Sequence, residues 1–105
     1  MEYRFDENTF NEEVMNSSIP VMIDFYAEWC GPCRMMSPVV EEFAKEYEGK
    51  VKIGKVNVDE QATLASMFGI QSIPSFVFIK DGKVIDKVTG AMPRNVLKGH
   101  LEDLA

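Results

Sequence analysis

Apolar residues recur along this chain with two different periods, and the switches between them mark its elements. "EYRF" (2–5) reads as a short opening strand. A helix is expected over Asn8–Asn16, with Asn8 as its cap and Phe10 and Val14 on one face at i and i+4. "PVMIDFYA" (20–27) is apolar almost throughout rather than alternating. That pattern suits a central strand covered on both faces in a mainly parallel sheet. From Pro32 to Tyr47 the period becomes helical: Met36, Val39, Val40, Phe43, Ala44 and Tyr47 fall on one stripe, and Gly49 can end the helix. Pro38 within it has no N–H for the carbonyl of Arg34, so a kink is expected there.

"KVKIGKVNVD" (50–59) is another strand, followed by a short helix in "EQATLASMFG" that Gly69 terminates. "SFVFIKDGKVIDKV" (75–88) is the clearest local signal. Asp81-Gly82 between two β-rich runs predicts an antiparallel hairpin closed by a type I′ turn. Pro93 sits in the first turn of a final helix whose Leu97, Leu101 and Leu104 face inward. Neither repeats nor low-complexity tracts interrupt the order β-α-β-α-β-α-β-β-α, read as one domain over residues 1–105.

Composition narrows the function classes. With 105 residues, 46% of them apolar, the chain can build a core without cross-links. A net charge of −6 argues against nucleic-acid binding, which needs clustered Lys and Arg. The first ten residues lack the basic and then apolar pattern of a signal peptide, and no apolar run approaches the roughly 20 residues of a membrane span. A soluble, cytoplasmic protein with no membrane association is expected. In a reducing cytosol, paired cysteines are more often catalytic or metal-binding than structural.

The only cysteines, Cys30 and Cys33, flank Gly31-Pro32 in "FYAEWCGPCRMM". As a staple they would close too small a loop to constrain the unfolded chain much. As a zinc site they lack partners, because structural zinc takes four ligands and the one histidine, His100, lies far off on the last helix. His100 is expected on a solvated face. A closed zinc site within one chain is therefore disfavoured, while one shared between chains stays open. The third reading is redox. Residues three apart at a strand-to-helix turn have Cα atoms roughly 5–5.5 Å apart, a separation that a disulfide accepts. Cys30 at the helix N-terminus gains a thiolate-stabilising dipole, and Cys33, one turn inside, is expected to be shielded and less acidic. On this reading Cys30 is the exposed sulfur that attacks and Cys33 the buried one that resolves.

"AEWCGPCRMMSP", "SIPSF", the hairpin and "TGA" at 89–91 together resemble the thioredoxin family, and the resemblance runs over essentially the whole chain. It implies the thioredoxin fold, an α/β architecture with a central five-stranded mixed sheet flanked by four helices. It also implies reduction of disulfides in client proteins, with Cys30 as nucleophile and Cys33 as resolving cysteine. No bound cofactor is implied beyond the redox-active Cys30–Cys33 disulfide, and no metal. The partners implied are the clients and a thioredoxin reductase, usually a flavin enzyme drawing on NADPH, and a monomer is expected. Pro74 matches the family's cis-proline opposite the cysteines, which leaves the backbone at Ile73 free to pair with an extended substrate. Trp29, Gly31, Pro32, Gly90 and Ala91 match the remaining docking surface. Asp24 and Lys55 match the acid and lysine behind the cysteine pair.

Two of those residues can be argued from the chain alone. Asp24 interrupts an apolar strand, where burial raises a carboxyl pKa and makes it a candidate proton acceptor for Cys33. Lys55 breaks the inward series Val51, Ile53 on the neighbouring strand, so the two charges suggest a pair. Tyr26 stands where many family members have tryptophan, Ser75 where threonine is frequent, and Met92-Pro93 where a Ser or Thr cap is usual. Two rivals use the same fold: a disulfide isomerase or oxidase, and a redox-independent structural subunit of a larger complex.

Overall fold

The computed structural model describes residues 1–105. Its elements are β1 (Tyr3–Arg4), a π-helical segment (Asn11–Met15), β2 (Val21–Tyr26), α1 (Gly31–Glu46), β3 (Lys52–Asn57), α2 (Ala62–Met67), β4 (Ser75–Lys80), β5 (Lys83–Thr89) and α3 (Arg94–Leu104). The five strands form one mixed sheet in the order β1-β3-β2-β4-β5. β1, β3 and β2 run parallel, whereas β4 and β5 are antiparallel to their neighbours. The apolar run at 20–27 is the central strand β2, and all six of its residues are buried.

Alternation along β2 sorts its side chains onto two layers. Val21, Ile23 and Phe25 join Phe10, Val14, Leu64 and Ala65 beneath the π-helical segment and α2. Met22 joins Met36, Val40 and Phe43 of α1 and Leu97, Leu101 and Leu104 of α3 on the other face. The helical stripes read from the sequence are thus the surfaces that cover the sheet. Burying each such side chain contributes about 1.5–3 kcal/mol. Asp24 and Tyr26 share the α1 face with Met22, as do Lys55 and Ile53 from β3. This is how two charged residues come to lie under the first turn of α1.

The hairpin closes as expected: Asp81 and Gly82 carry φ of 53° and 73°, and a type I′ turn needs both positive. The strands slip register between Phe78 and Ile79, leaving Ile85 as the extra residue of a bulge. α1 continues through Pro38 without ending. Gly54 lies opposite Tyr3, where β1 runs alongside β3. A Cβ there would collide with the Phe5 ring and lie 2.9 Å from the Tyr3 Cβ, so only glycine fits.

Three expectations are corrected, at Asn8, His100 and Pro93. Asn8 does not cap the first helix. Asp6 Oδ1 instead accepts from the backbone N–H groups of Asn8 and Thr9 and from the Thr9 hydroxyl, so a turn precedes a shorter, π-helical segment. His100 is not simply solvated. Its ring stacks on Phe78 at 5.6 Å and Nδ1 lies 3.0 Å from Asp86 Oδ2 on β5. Pro93 stands just before α3 with ψ of 149°, and no side chain caps that helix.

Candidate active site

Cys30 is the N-cap of α1, with extended backbone at φ −85° and ψ 111°. This puts its sulfur over the open helix end, where it accepts from the Cys33 N–H at 3.2 Å. The two cysteines are joined as a disulfide with Cα atoms 5.2 Å apart. A Cβ on Gly31 would meet nothing within 4 Å, so open space lies beside the bond. Pro32, exposed in the first turn, costs the helix nothing because its N–H would have had no acceptor.

The two cysteines do not differ in exposure as whole residues. Cys30 and Cys33 are each 4% exposed in the disulfide state. They differ in surroundings instead. Cys30 Sγ lies 3.9 Å from the Ile73 carbonyl oxygen, at the side of the Ile73–Pro74 loop. Cys33 faces inward and lines a cavity of about 50 Å³ together with Asp24, Tyr26, Glu28, Ser37 and Lys55. A water needs only about 10–15 Å³ of such space.

Asp24 is 3% exposed and its Oδ1 has no hydrogen-bond partner. Burial pushes its pKa from the ordinary 3.8 to about 7; the Lys55 charge pulls it down in part, and Glu2 adds to the rise. The expected Asp24–Lys55 pair takes an indirect form. The residues are register partners on β2 and β3 and line the same cavity, yet no ion pair joins them. The Lys55 ammonium stands over the Tyr26 ring, 4.3 Å from its centre.

The side of the site toward Trp29 and Ile73 is apolar. Trp29 is 68% exposed. Its indole forms one wall of a groove of about 150 Å³ with Val58, Ala65, Ile70 and Ile73. The Ile73–Pro74 peptide is cis. The Pro74 carbonyl accepts from the Gly90 N–H at 2.8 Å, and the Ser75 hydroxyl donates to the Ser72 carbonyl at 2.6 Å. These bonds bring Ile73, Pro74, Gly90 and the exposed Ala91 to the same end of the sheet as the cysteines.

Comparison with known proteins places a chain with this disulfide in a family. Residues 3–103 match the Thioredoxin family model. Thioredoxin 1 of Nostoc sp. is 51% identical over 96 residues, covering 91% of this chain and 90% of that protein. Thioredoxin 1 of Synechococcus elongatus is 52% identical over 94 residues, covering 90% and 88%. A thioredoxin M-type, chloroplastic, of Pisum sativum is 45% identical over 97 residues, covering 92% of this chain and 56% of that protein. The chain belongs to the thioredoxin family. Its chemistry is thiol–disulfide exchange, for which the Cys30–Cys33 pair supplies the reversible bond.

Within this thioredoxin some site residues carry no signal that sequence reasoning could use. Asp59 Oδ2 accepts from the Trp29 indole N–H at 2.8 Å and fixes that wall of the groove. Asn57 is buried, and its Oδ1 accepts from the Asp59 and Glu60 N–H groups, which holds Asp59 in place. Arg34 donates to the Glu28 carbonyl at 2.8 Å and ties the loop before Cys30 to α1. All three are polar residues near turns, indistinguishable by type from ordinary solvated positions. No helix is long and apolar enough to cross a membrane.

Proposed function

We propose that this thioredoxin is a protein-disulfide reductase in which Cys30 attacks and Cys33 resolves. The Cys30 thiolate attacks one sulfur of a client disulfide, forming a mixed disulfide and releasing the client's other sulfur as a thiolate that takes up a proton. Cys33 passes its proton to Asp24, directly or through water in the shared cavity, and its thiolate attacks Cys30 Sγ. The second client sulfur leaves as a thiolate and takes up a proton, Asp24 gives its own back to solvent, the client has gained two electrons, and the Cys30–Cys33 bond has formed. A thioredoxin reductase returns the pair to the dithiol.

The observation that carries this reading is the cavity that joins buried Asp24 to Cys33 but not to Cys30. It supplies a proton acceptor to one sulfur alone, so the two can play different parts despite equal burial. Lys55, lining the same cavity, moderates Asp24. Trp29, Gly31, Pro32, Ile73, Pro74, Gly90 and Ala91 form the client-docking surface, apolar around an exposed indole. The protein acts as a single-domain monomer over residues 1–105, in the cytoplasm, with no cofactor beyond its own disulfide.

Insulin reduction and client trapping test the proposal together. Wild type supplied with a reductant should reduce insulin disulfides, and Cys33→Ser should accumulate a mixed disulfide through Cys30. Catalysed insulin reduction that survives in Cys33→Ser without any trapped client would refute the resolving role. Absence of both reduction and trapping would favour the redox-independent subunit.

A further inference from the structure

Tyr26 is the residue at which this chain departs from the tryptophan frequent in its family, and the structure gives it specific partners. Its side chain and that of Lys55 line the cavity that holds Asp24 and Cys33. The same two residues also line a second cavity of about 150 Å³, bounded by Arg4, Asp6, Asn57 and Gln61. Tyr26 and Lys55 therefore stand between two adjoining cavities.

Three strands deliver the parts of this partition. Arg4 of β1 is in register with Lys55 of β3, and Lys55 with Asp24 of β2. Tyr26 lies two residues beyond Asp24 on the same face of β2. Its hydroxyl accepts from Arg4 Nη1 at 3.1 Å, while its ring carries the Lys55 ammonium at 4.3 Å. Arg4 thus grips one end of a ring whose face holds the cation.

We propose that Tyr26 is a positioning residue: its ring, anchored by Arg4, holds the Lys55 ammonium between the two cavities and beside Asp24. The held cation stabilises the Asp24 carboxylate without the direct contact that would pin it as an ion pair. The other groups facing this space are Cys33 and Arg34 of α1, Glu28 before it, and Glu2 beside β1 with Glu41 near it. Glu2 opposes Lys55 in its effect on Asp24. Releasing Lys55 from Tyr26 therefore leaves the acid with less compensation and raises its titration midpoint.

The inference rests on Asp24 as proton acceptor, and the two claims fail in different ways. The Asp24 carboxyl is titrated by NMR in the oxidised full-length protein, which requires no turnover. Tyr26→Leu should raise the midpoint by about one pH unit, the lower end of what a neighbouring opposite charge exerts. Tyr26→Phe keeps the ring but frees it from Arg4, and Arg4→Met frees it from the other side; each should give a smaller rise. In a Lys55→Met background none of these changes should move the midpoint. An unmoved midpoint in Tyr26→Leu, or an equal rise without Lys55, overturns the proposal. Should Tyr26→Leu not fold, Arg4→Met at an exposed position decides the matter, and an unmoved midpoint there overturns it. If instead Asp24 is not the acceptor, wild type and Asp24→Asn will share one pH–rate profile for insulin reduction while the Tyr26 variants still titrate as stated.

Discussion

Replacing Asp24 with asparagine should stabilise the oxidised protein, and increasingly so as pH rises. The cause is the cost of ionising a carboxyl that is 3% exposed with an unpartnered oxygen. Raising its pKa from 3.8 to about 7 spans about three pH units. At roughly 1.4 kcal/mol per unit that is about 4 kcal/mol, an upper figure because water entering the cavity screens the charge. The sign follows from proton counting. Below pH 3.8 both folded and unfolded chains hold the proton and the site costs nothing. Between 3.8 and about 7 the unfolded chain releases it and the folded chain does not, so rising pH favours unfolding. Above that window the full cost is present. Asparagine carries none of it. Urea denaturation of both proteins across this range isolates the effect, since every other carboxylate cancels in the difference. The stability gap should be widest above pH 8. A gap that stays flat across the range would refute the reasoning, whatever its absolute size.

Further predictions follow from single contacts. Gly54→Ala should destabilise the fold by about 1–3 kcal/mol through overpacking against Phe5, and an unchanged denaturation midpoint would contradict the close approach of β1 and β3. Asp59→Ala frees the Trp29 indole, so KM for insulin should rise about threefold to tenfold, the worth of one hydrogen bond, with kcat little changed. A shift in tryptophan emission should accompany it, and an unaltered emission and KM would remove Asp59 from the docking surface. Leu101→Ala, under α3, should cost about 2–5 kcal/mol by opening a cavity at a fully buried position, read from the shift in thermal or urea midpoint.

What could be read from the sequence was whatever local periodicity or an interrupted pattern reports. The unbroken apolar run of β2 implied a strand covered on both faces, and Asp24 stood out because it broke that run. The Asp81-Gly82 turn was legible because only a few residues tolerate two positive φ angles in succession. The cap of the first helix was not, because Asp6 and Asn8 are equally able to accept from backbone N–H groups and only the chain's path chooses between them. The equal burial of Cys30 and Cys33 was missed for a related reason. Position on a helix predicts dipole and depth, whereas the Ile73–Pro74 loop that covers Cys30 comes from 43 residues away. Gly54 and Tyr26 take their importance from β1, a strand of two residues whose register no pattern announces.

The central claim is that two cysteines of equal residue burial are chemically unequal, Cys30 attacking and Cys33 waiting on Asp24. Alkylation of the reduced protein by iodoacetamide at neutral pH, with each cysteine followed by peptide mass spectrometry, tests this most directly. Cys30 should be modified first, with Cys33 labelled slowly or only after unfolding. Equal rates at the two positions, or faster labelling of Cys33, would contradict the account.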